Sequence, residues 1–205
     1  MTDGRSRRTQ AERSATTREA LLDAAVACLV ERGFSGTTTT EVSHRAGVSL
    51  GALGHHFPTK ADLLTAAVGH VMRRRQAEFR KAMADVAPGA DLLDAAIDLL
   101  WEAFNGPTFT AWVELWVGAR TDPELAAAVR TLDGEFERGS QEIFSELFPP
   151  DEYPDAALFE GGMRFAMSVM DGVALRGLVI QPVDASPVER LKTIARRRID
   201  RADNE

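Results

Sequence analysis

The stretch that decides the fold is residues 34–64, FSGTTTTEVSHRAGVSLGALGHHFPTKADLL. Thr38 is placed to cap a helix, with Glu41 three residues on completing a capping box. That helix, Thr39–Ala46, is short because Gly47 follows, a residue able to take the positive φ of a tight turn. Val48 then plugs the turn with an apolar side chain. Ser49 caps a second short helix, Leu50–His56, and Phe57 anchors its end. Pro58 and Thr59 stop that helix and start the next, with Thr59 and Asp62 as a further capping pair. Two short helices joined by a glycine turn form a helix-turn-helix. In that geometry the first helix crosses a phosphate backbone and the second enters the major groove.

Outward from this unit, helical periodicity runs almost everywhere and strand signals are nearly absent. Upstream, Leu21, Leu22, Ala25, Val26, Leu29 and Val30 make one apolar stripe that Gly33 ends. Downstream, Leu63, Leu64, Ala67, Val68, Val71 and Met72 make another, with Arg73, Arg74, Arg75, Arg80 and Lys81 towards its C-terminal end. Pro88-Gly89 marks a turn. A helix bearing Leu92, Ile97 and Phe104 is broken by Asn105-Gly106-Pro107. Residues 109–120 are apolar on almost all sides. Asp122 with Pro123 starts a long helix carrying Leu125, Val129, Leu132, Phe136 and Ile143. After a Pro149-Pro150 to Pro154 loop comes a helix with Leu158, Phe165, Val169, Met170, Val173 and Ala174. Ser186, Pro187 and Glu189 cap the last one, which shows Leu191, Ile194 and Ile199 on one face. The fold class is all-α, with about nine helices and two expected regions: an N-terminal arm and helix-turn-helix head in residues 1–62, and a helical body in residues 63–205.

Composition sets limits on function. The chain has 205 residues, 44% of them hydrophobic and 27% charged, the balance of a globular protein. Its one cysteine, Cys28, excludes an internal disulfide and suits a reducing, cytoplasmic setting. No apolar run is long enough to span a membrane. The net charge of −7 is unevenly spread. Residues 1–60 carry 8 Lys and Arg against 6 Asp and Glu, and residues 61–205 carry 16 against 25. A mildly basic head, with Arg5, Arg7, Arg8, Arg13 and Arg18 in its first twenty residues, precedes an acidic body. That asymmetry fits a nucleic-acid-binding head whose body stays off the DNA.

The combination Thr38, Val42, Ala46-Gly47-Val48-Ser49, Gly51, Leu53, His56-Phe57 and Lys60 resembles the TetR family of bacterial transcriptional regulators. The motif covers about fifty residues, and the length and nine-helix layout match as well. The resemblance implies a palindromic double-stranded operator read by a homodimer, a small-molecule effector, and no catalytic activity. It implies DNA contacts from Thr38, Thr39, Thr40 and Arg45, from Ser49, Leu50, Gly51 and Ala52 at the start of the second helix, and from His55, His56 and Lys60. Two positions depart from the family pattern. Leu50 stands where Lys or Arg is usual, and Gly54 where an aromatic residue is usual. Leu50 cannot donate a hydrogen bond but can touch a thymine methyl.

Between head and C-terminus lies a zone rich in aromatic residues and methionine: Trp101, Phe104, Phe109, Trp112, Trp116, Met163, Met167 and Met170. Adaptable apolar side chains of this kind suit a hydrophobic or aromatic effector, with Asp171, Glu114 or Arg176 as a polar handle. Core packing is the competing explanation for each of them. The last two helices are the expected dimer face, pairing into a four-helix bundle. Nothing in the sequence calls for a cofactor or a metal. There is no glycine-rich phosphate loop and no nucleophile motif, which speaks against an enzyme. The alternative is a helical protein-interaction module that has lost sequence-specific DNA binding.

Overall fold

The computed structural model describes residues 10–87, 89–149 and 156–202, except for the side chains of 156–160 and 198–202. Arg5, Arg7 and Arg8 of the basic segment, Pro88, the loop from Pro150 to Pro154 and the side chains of Leu158 and Ile199 lie outside the described residues. Among the described residues there are nine helices and no strand: α1 Gln10–Gly36, α2 Thr39–Ala46, α3 Leu50–His56, α4 Lys60–Ala84, α5 Leu92–Phe104, α6 Pro107–Ala119, α7 Pro123–Leu147, α8 Ala156–Gly177 and α9 Ser186–Ala202.

Two apolar clusters hold them. The larger joins α1, α2, α3, α4, α6 and α7 through Leu21, Leu29, Val42, Leu53, Phe57, Leu64, Leu115 and Leu132, all buried. Burying one such leucine contributes roughly 1.5–3 kcal/mol, so α1 and the two short helices after it are fixed to α4 and α6 as one packed unit. The smaller cluster lies between α5, α8 and α9, with Ile97, Met170, Val188 and Leu191 at its centre. Ion pairs reinforce its rim: Arg196 with Asp91 and Asp94, and Lys192 with Asp98 and Glu189.

The local stop and start signals act largely as their chemistry dictates. Ser49 Oγ accepts from Ala52 N–H at 3.2 Å, and Asp122 Oδ1 accepts from the N–H groups of Glu124 and Leu125. Thr59 and Asp62 form the full reciprocal box. Two caps differ from expectation. Thr38 Oγ1 does accept from Glu41 N–H, but the Glu41 carboxylate pairs with Arg32 at 2.9 Å instead of reaching back. At α9, Ser186 lies within the helix and its N–H donates to Asp184 Oδ1, while Glu189 is taken by Lys192. In each case a nearby charge outcompetes a weaker hydrogen bond for the carboxylate.

Gly33 does more than end α1. It sits at φ 67°, ψ 176°, and the chain makes a further helical turn beyond it to Gly36. Thr37, fully buried, ties that turn off by donating from Oγ1 to Gly33 O at 2.8 Å.

Candidate nucleic-acid interface

The interface is built from the inside outward. Val42 on α2 and Leu53 on α3 are buried against α1 and α4, and Phe57 is buried at the end of α3 with the Arg18 guanidinium 5.4 Å from its ring centroid. Gly47 makes the turn between the helices at φ 65°. Ser43 Oγ donates to Val48 O across that turn. These anchors leave the outer side of the unit to solvent. Thr38, Thr40, Ser49, Leu50, Gly51, Gly54 and His55 are exposed there, and Thr39, Ala52 and His56 are partly covered. A threonine-rich helix start with free N–H groups suits a phosphate, and a second helix with an open outer face suits a groove.

Two cations expected at the interface are engaged within the protein. Arg45 donates to Glu31 at 2.7 Å, and that hydrogen bond holds the Glu31 carboxyl below its usual range. The pair lies at the surface, where solvent screens it, so Arg45 can exchange it for a phosphate. Lys60 is turned inward. Its Nζ donates to Phe34 O at 2.6 Å and stands 4.2 Å from the centroid of the Phe34 ring. Burial pushes its pKa down. The break at Gly33 explains this position: a backbone carbonyl at a helix end lacks its helical donor, and the ammonium supplies one.

The same residue is gripped from the other side. Phe34 N–H donates to Glu114 Oε2 of α6 at 2.8 Å, and a Cβ at Gly118 of α6 would lie 2.6 Å from the Phe34 ring. Phe34 is thus the joint at which α1, α4 and α6 meet. Sequence reasoning missed it. Glu114 reads there as a handle for an effector, whereas its carboxylate is committed to the backbone of the head. The signal in hindsight is the pairing of Gly33 and Gly118, two glycines in otherwise apolar helices.

The aromatic zone is brought together only in part. Trp101 and Phe104 pack with Met170 in the smaller cluster, Phe109 meets Phe104 at 5.5 Å between ring centroids, Met163 is buried, and Met167 is half-buried. Trp112 belongs instead to the larger cluster. Trp116, 5.3 Å from Trp112 between ring centroids, is 47% exposed. Arg176 is also exposed. A cavity of about 240 Å³ opens between α4 and α7, lined by Gly69, Met72, Arg73, Gln76, Leu132 and Phe136 among others, and none of the aromatic-zone candidates borders it.

Asp171 is the charged group of this zone. Burial, and then the neighbouring Asp133, push its pKa up to about 6. The folded chain therefore keeps a proton that the unfolded chain releases near the ordinary value of 3.8. Between those values each rise in pH favours the unfolded state, and above the upper one the full cost of the buried charge is present. Asp171→Asn is expected to raise the thermal midpoint at neutral pH and leave it unchanged near pH 4. Melting curves of both proteins at the two pH values test this, and an equal shift at both would refute it.

Among the described residues no helix is long and apolar enough to cross a membrane, and no group of His, Cys, Asp and Glu is placed to hold a metal. Cys28 is buried on the apolar stripe of α1.

Comparison with known proteins agrees with this architecture. Residues 21–67 match the model of bacterial regulatory proteins of the TetR family, and residues 90–203 match that of the C-terminal region of BetI-type transcriptional repressors. An uncharacterised HTH-type transcriptional regulator of Mycobacterium tuberculosis is 31% identical over 176 residues, covering 85% of this chain and 90% of that one. The solved multidrug-binding protein EbrR in complex with ethidium is 25% identical, with a TM-score of 0.61 over 86% of this chain and 97% of its own. A TetR-family regulator from Rhodococcus shares the fold at a TM-score of 0.72 over 88% of this chain and 97% of its own, with 18% identity. The chain, with its helix-turn-helix head and helical body, belongs to the TetR family of bacterial transcriptional regulators.

Proposed function

We propose that this regulator is a ligand-responsive repressor acting in the cytoplasm, which binds a palindromic operator as a homodimer and is released by a small hydrophobic or aromatic molecule. The observation that carries the DNA-binding part is the division of α3 into a buried inner side, Leu53, and an open outer side of Leu50, Gly51, Gly54 and His55. Ser49, Leu50, Gly51 and Ala52 meet base edges in this reading. Thr38, Thr39, Thr40, Arg45, His55 and His56 meet phosphates, and Lys60 holds the joint behind them. The head is residues 1–62 and the effector and dimer body residues 63–205, with α4 running across the division.

The exposed apolar residues Phe165 and Leu175 of α8 and Ile194 of α9 support pairing through the last two helices. The effector is placed beside Trp101, Phe104, Phe109, Met163, Met167 and Met170, with Asp171 as its polar handle. A carboxylate that is costly to ionise alone favours an aromatic cation, and EbrR is a neighbour solved with ethidium. Glu114 passes the change to the head through Phe34. The effector can move the equilibrium only by its difference in affinity for the two conformers.

The test has two arms. Selection from random duplexes should enrich a two-fold symmetric sequence whose binding weakens with salt. Failure to enrich any sequence would refute operator binding. Tetraphenylphosphonium, an aromatic cation that does not intercalate, should quench tryptophan fluorescence and release that duplex, whereas citrate should do neither. Release by citrate alone would refute the hydrophobic effector.

A further inference from the structure

The outer side of α3 is unusual in what it lacks. Its exposed positions are Leu50, Gly51, Gly54 and His55, and His55 is the one side chain among them that can hydrogen-bond to a base. Leu50 is 52% exposed, a large apolar side chain with water as its neighbour. The two glycines are unfavourable in a helix, and nothing within the protein asks for them. A Cβ built at Gly51 or at Gly54 meets nothing within 4 Å, and neither residue has positive φ. Gly33, Gly69 and Gly118 differ, since a Cβ at each would come within 3 Å of a neighbouring side chain. Packing within the chain therefore does not require Gly51 and Gly54, and they leave the outer side of α3 bare. Leu50 and Gly54 lie one turn apart on the same side of the helix, so whatever passes over the glycines also meets the leucine.

Resting on the operator-binding reading above, we infer that α3 lies flush against the floor of the major groove over Gly51 and Gly54, and that Leu50 reads the C5-methyl group of a thymine there. A thymine methyl is the one apolar feature of a base edge in that groove, and an aliphatic side chain is its complement. Sequence choice at this position comes from burying a methyl group and not from a bidentate hydrogen bond. A lysine or arginine would instead select guanine.

The experiment uses the full-length protein and the duplex enriched by selection. Replacing one thymine of each half-site by uracil removes the methyl groups and nothing else. At one half-site position this should weaken wild-type binding about fourfold per half-site, on the order of fifteenfold for the pair. Leu50→Ala should bind the thymine duplex correspondingly more weakly and be indifferent to uracil. As Leu50 is exposed, that variant keeps its fold. Gly54→Ala should raise the thermal midpoint, because alanine is the better helix residue, and yet weaken operator binding at least about tenfold as the helix is lifted from the floor. Wild-type binding insensitive to uracil at every thymine, or an equal uracil effect in Leu50→Ala, would overturn the methyl reading. Unchanged affinity in Gly54→Ala would overturn the close approach. Failure of selection to enrich any duplex would overturn operator binding itself, and this inference with it.

Discussion

Replacing Gly33 by alanine is expected to lower the stability of the folded chain by about 3 kcal/mol, a large effect for one added methyl group. Two costs combine. The first is conformational: φ 67° with ψ 176° is a backbone region essentially reserved for glycine, and holding another residue there costs on the order of 1–3 kcal/mol. The second is steric and falls on a hydrogen bond. The new Cβ would lie 2.8 Å from Glu114 Oε2, the atom that accepts from Phe34 N–H. Pushing the carboxylate aside leaves a part-buried N–H unpaired, at about 1–3 kcal/mol. For a chain of this length that loss corresponds to a fall of roughly 6–12 °C in the thermal midpoint. Glu114→Ala alone should cost less, as it loses the hydrogen bond without the strain. In the Gly33→Ala background it should cost almost nothing further, since the contact is already broken. Full additivity of the two substitutions in melting experiments would show that the Cβ does not act through Glu114.

The effect matters beyond stability because of where Phe34 stands. Its N–H is held by α6, its carbonyl by Lys60 at the start of α4, and its ring by the glycine gap at Gly118. In the ligand-responsive reading proposed above, a movement of α6 reaches, through this residue, the last turn of α1, the segment that leads directly into α2. No sequence pattern announces this joint. Local signals made the head legible: Gly47 needs its turn, Ser49 and Thr59 need their caps, and Pro58 stops the second short helix. The apolar stripes likewise gave the number and order of the helices, each stripe being a statement about one face. What the sequence could not resolve depends on partners far along the chain. Glu114 finds Phe34 eighty residues away, Lys60 turns to a carbonyl freed by a distant break, and Glu41 prefers Arg32 to its own cap. The aromatic zone failed as a unit for the same reason. Proximity in sequence put Trp101, Trp112 and Trp116 together, but Trp112 turns into the larger cluster with Trp116 beside it at the surface, while Trp101, on a different helix, joins the other cluster.

Leu175→Arg is expected to abolish dimerisation and with it tight operator binding. Leu175 is 53% exposed on α8, Phe165 is 51% exposed on the same helix, Val179 just beyond it is 87% exposed, and Ile194 on α9 is 47% exposed. So many large apolar side chains on the last two helices and the turn between them are rarely left to water in a monomer. In a two-fold interface each residue appears twice, so one substitution brings two arginines into the same apolar contact. The isolated chain loses little, because an exposed leucine contributes little to its own core. Circular dichroism should therefore be unchanged while the mass in solution falls from that of a pair to the 22.3 kDa of one chain. Operator affinity should fall by at least about a hundredfold, as a second head held on the same partner multiplies binding by effective concentration, and the single head loses that gain. Uracil sensitivity at the half-site contacted by the remaining head should persist, separating loss of the pair from loss of reading. A Leu175→Arg protein that stays dimeric and binds the symmetric duplex as before would place the interface elsewhere and leave the apolar edge of α8 unexplained.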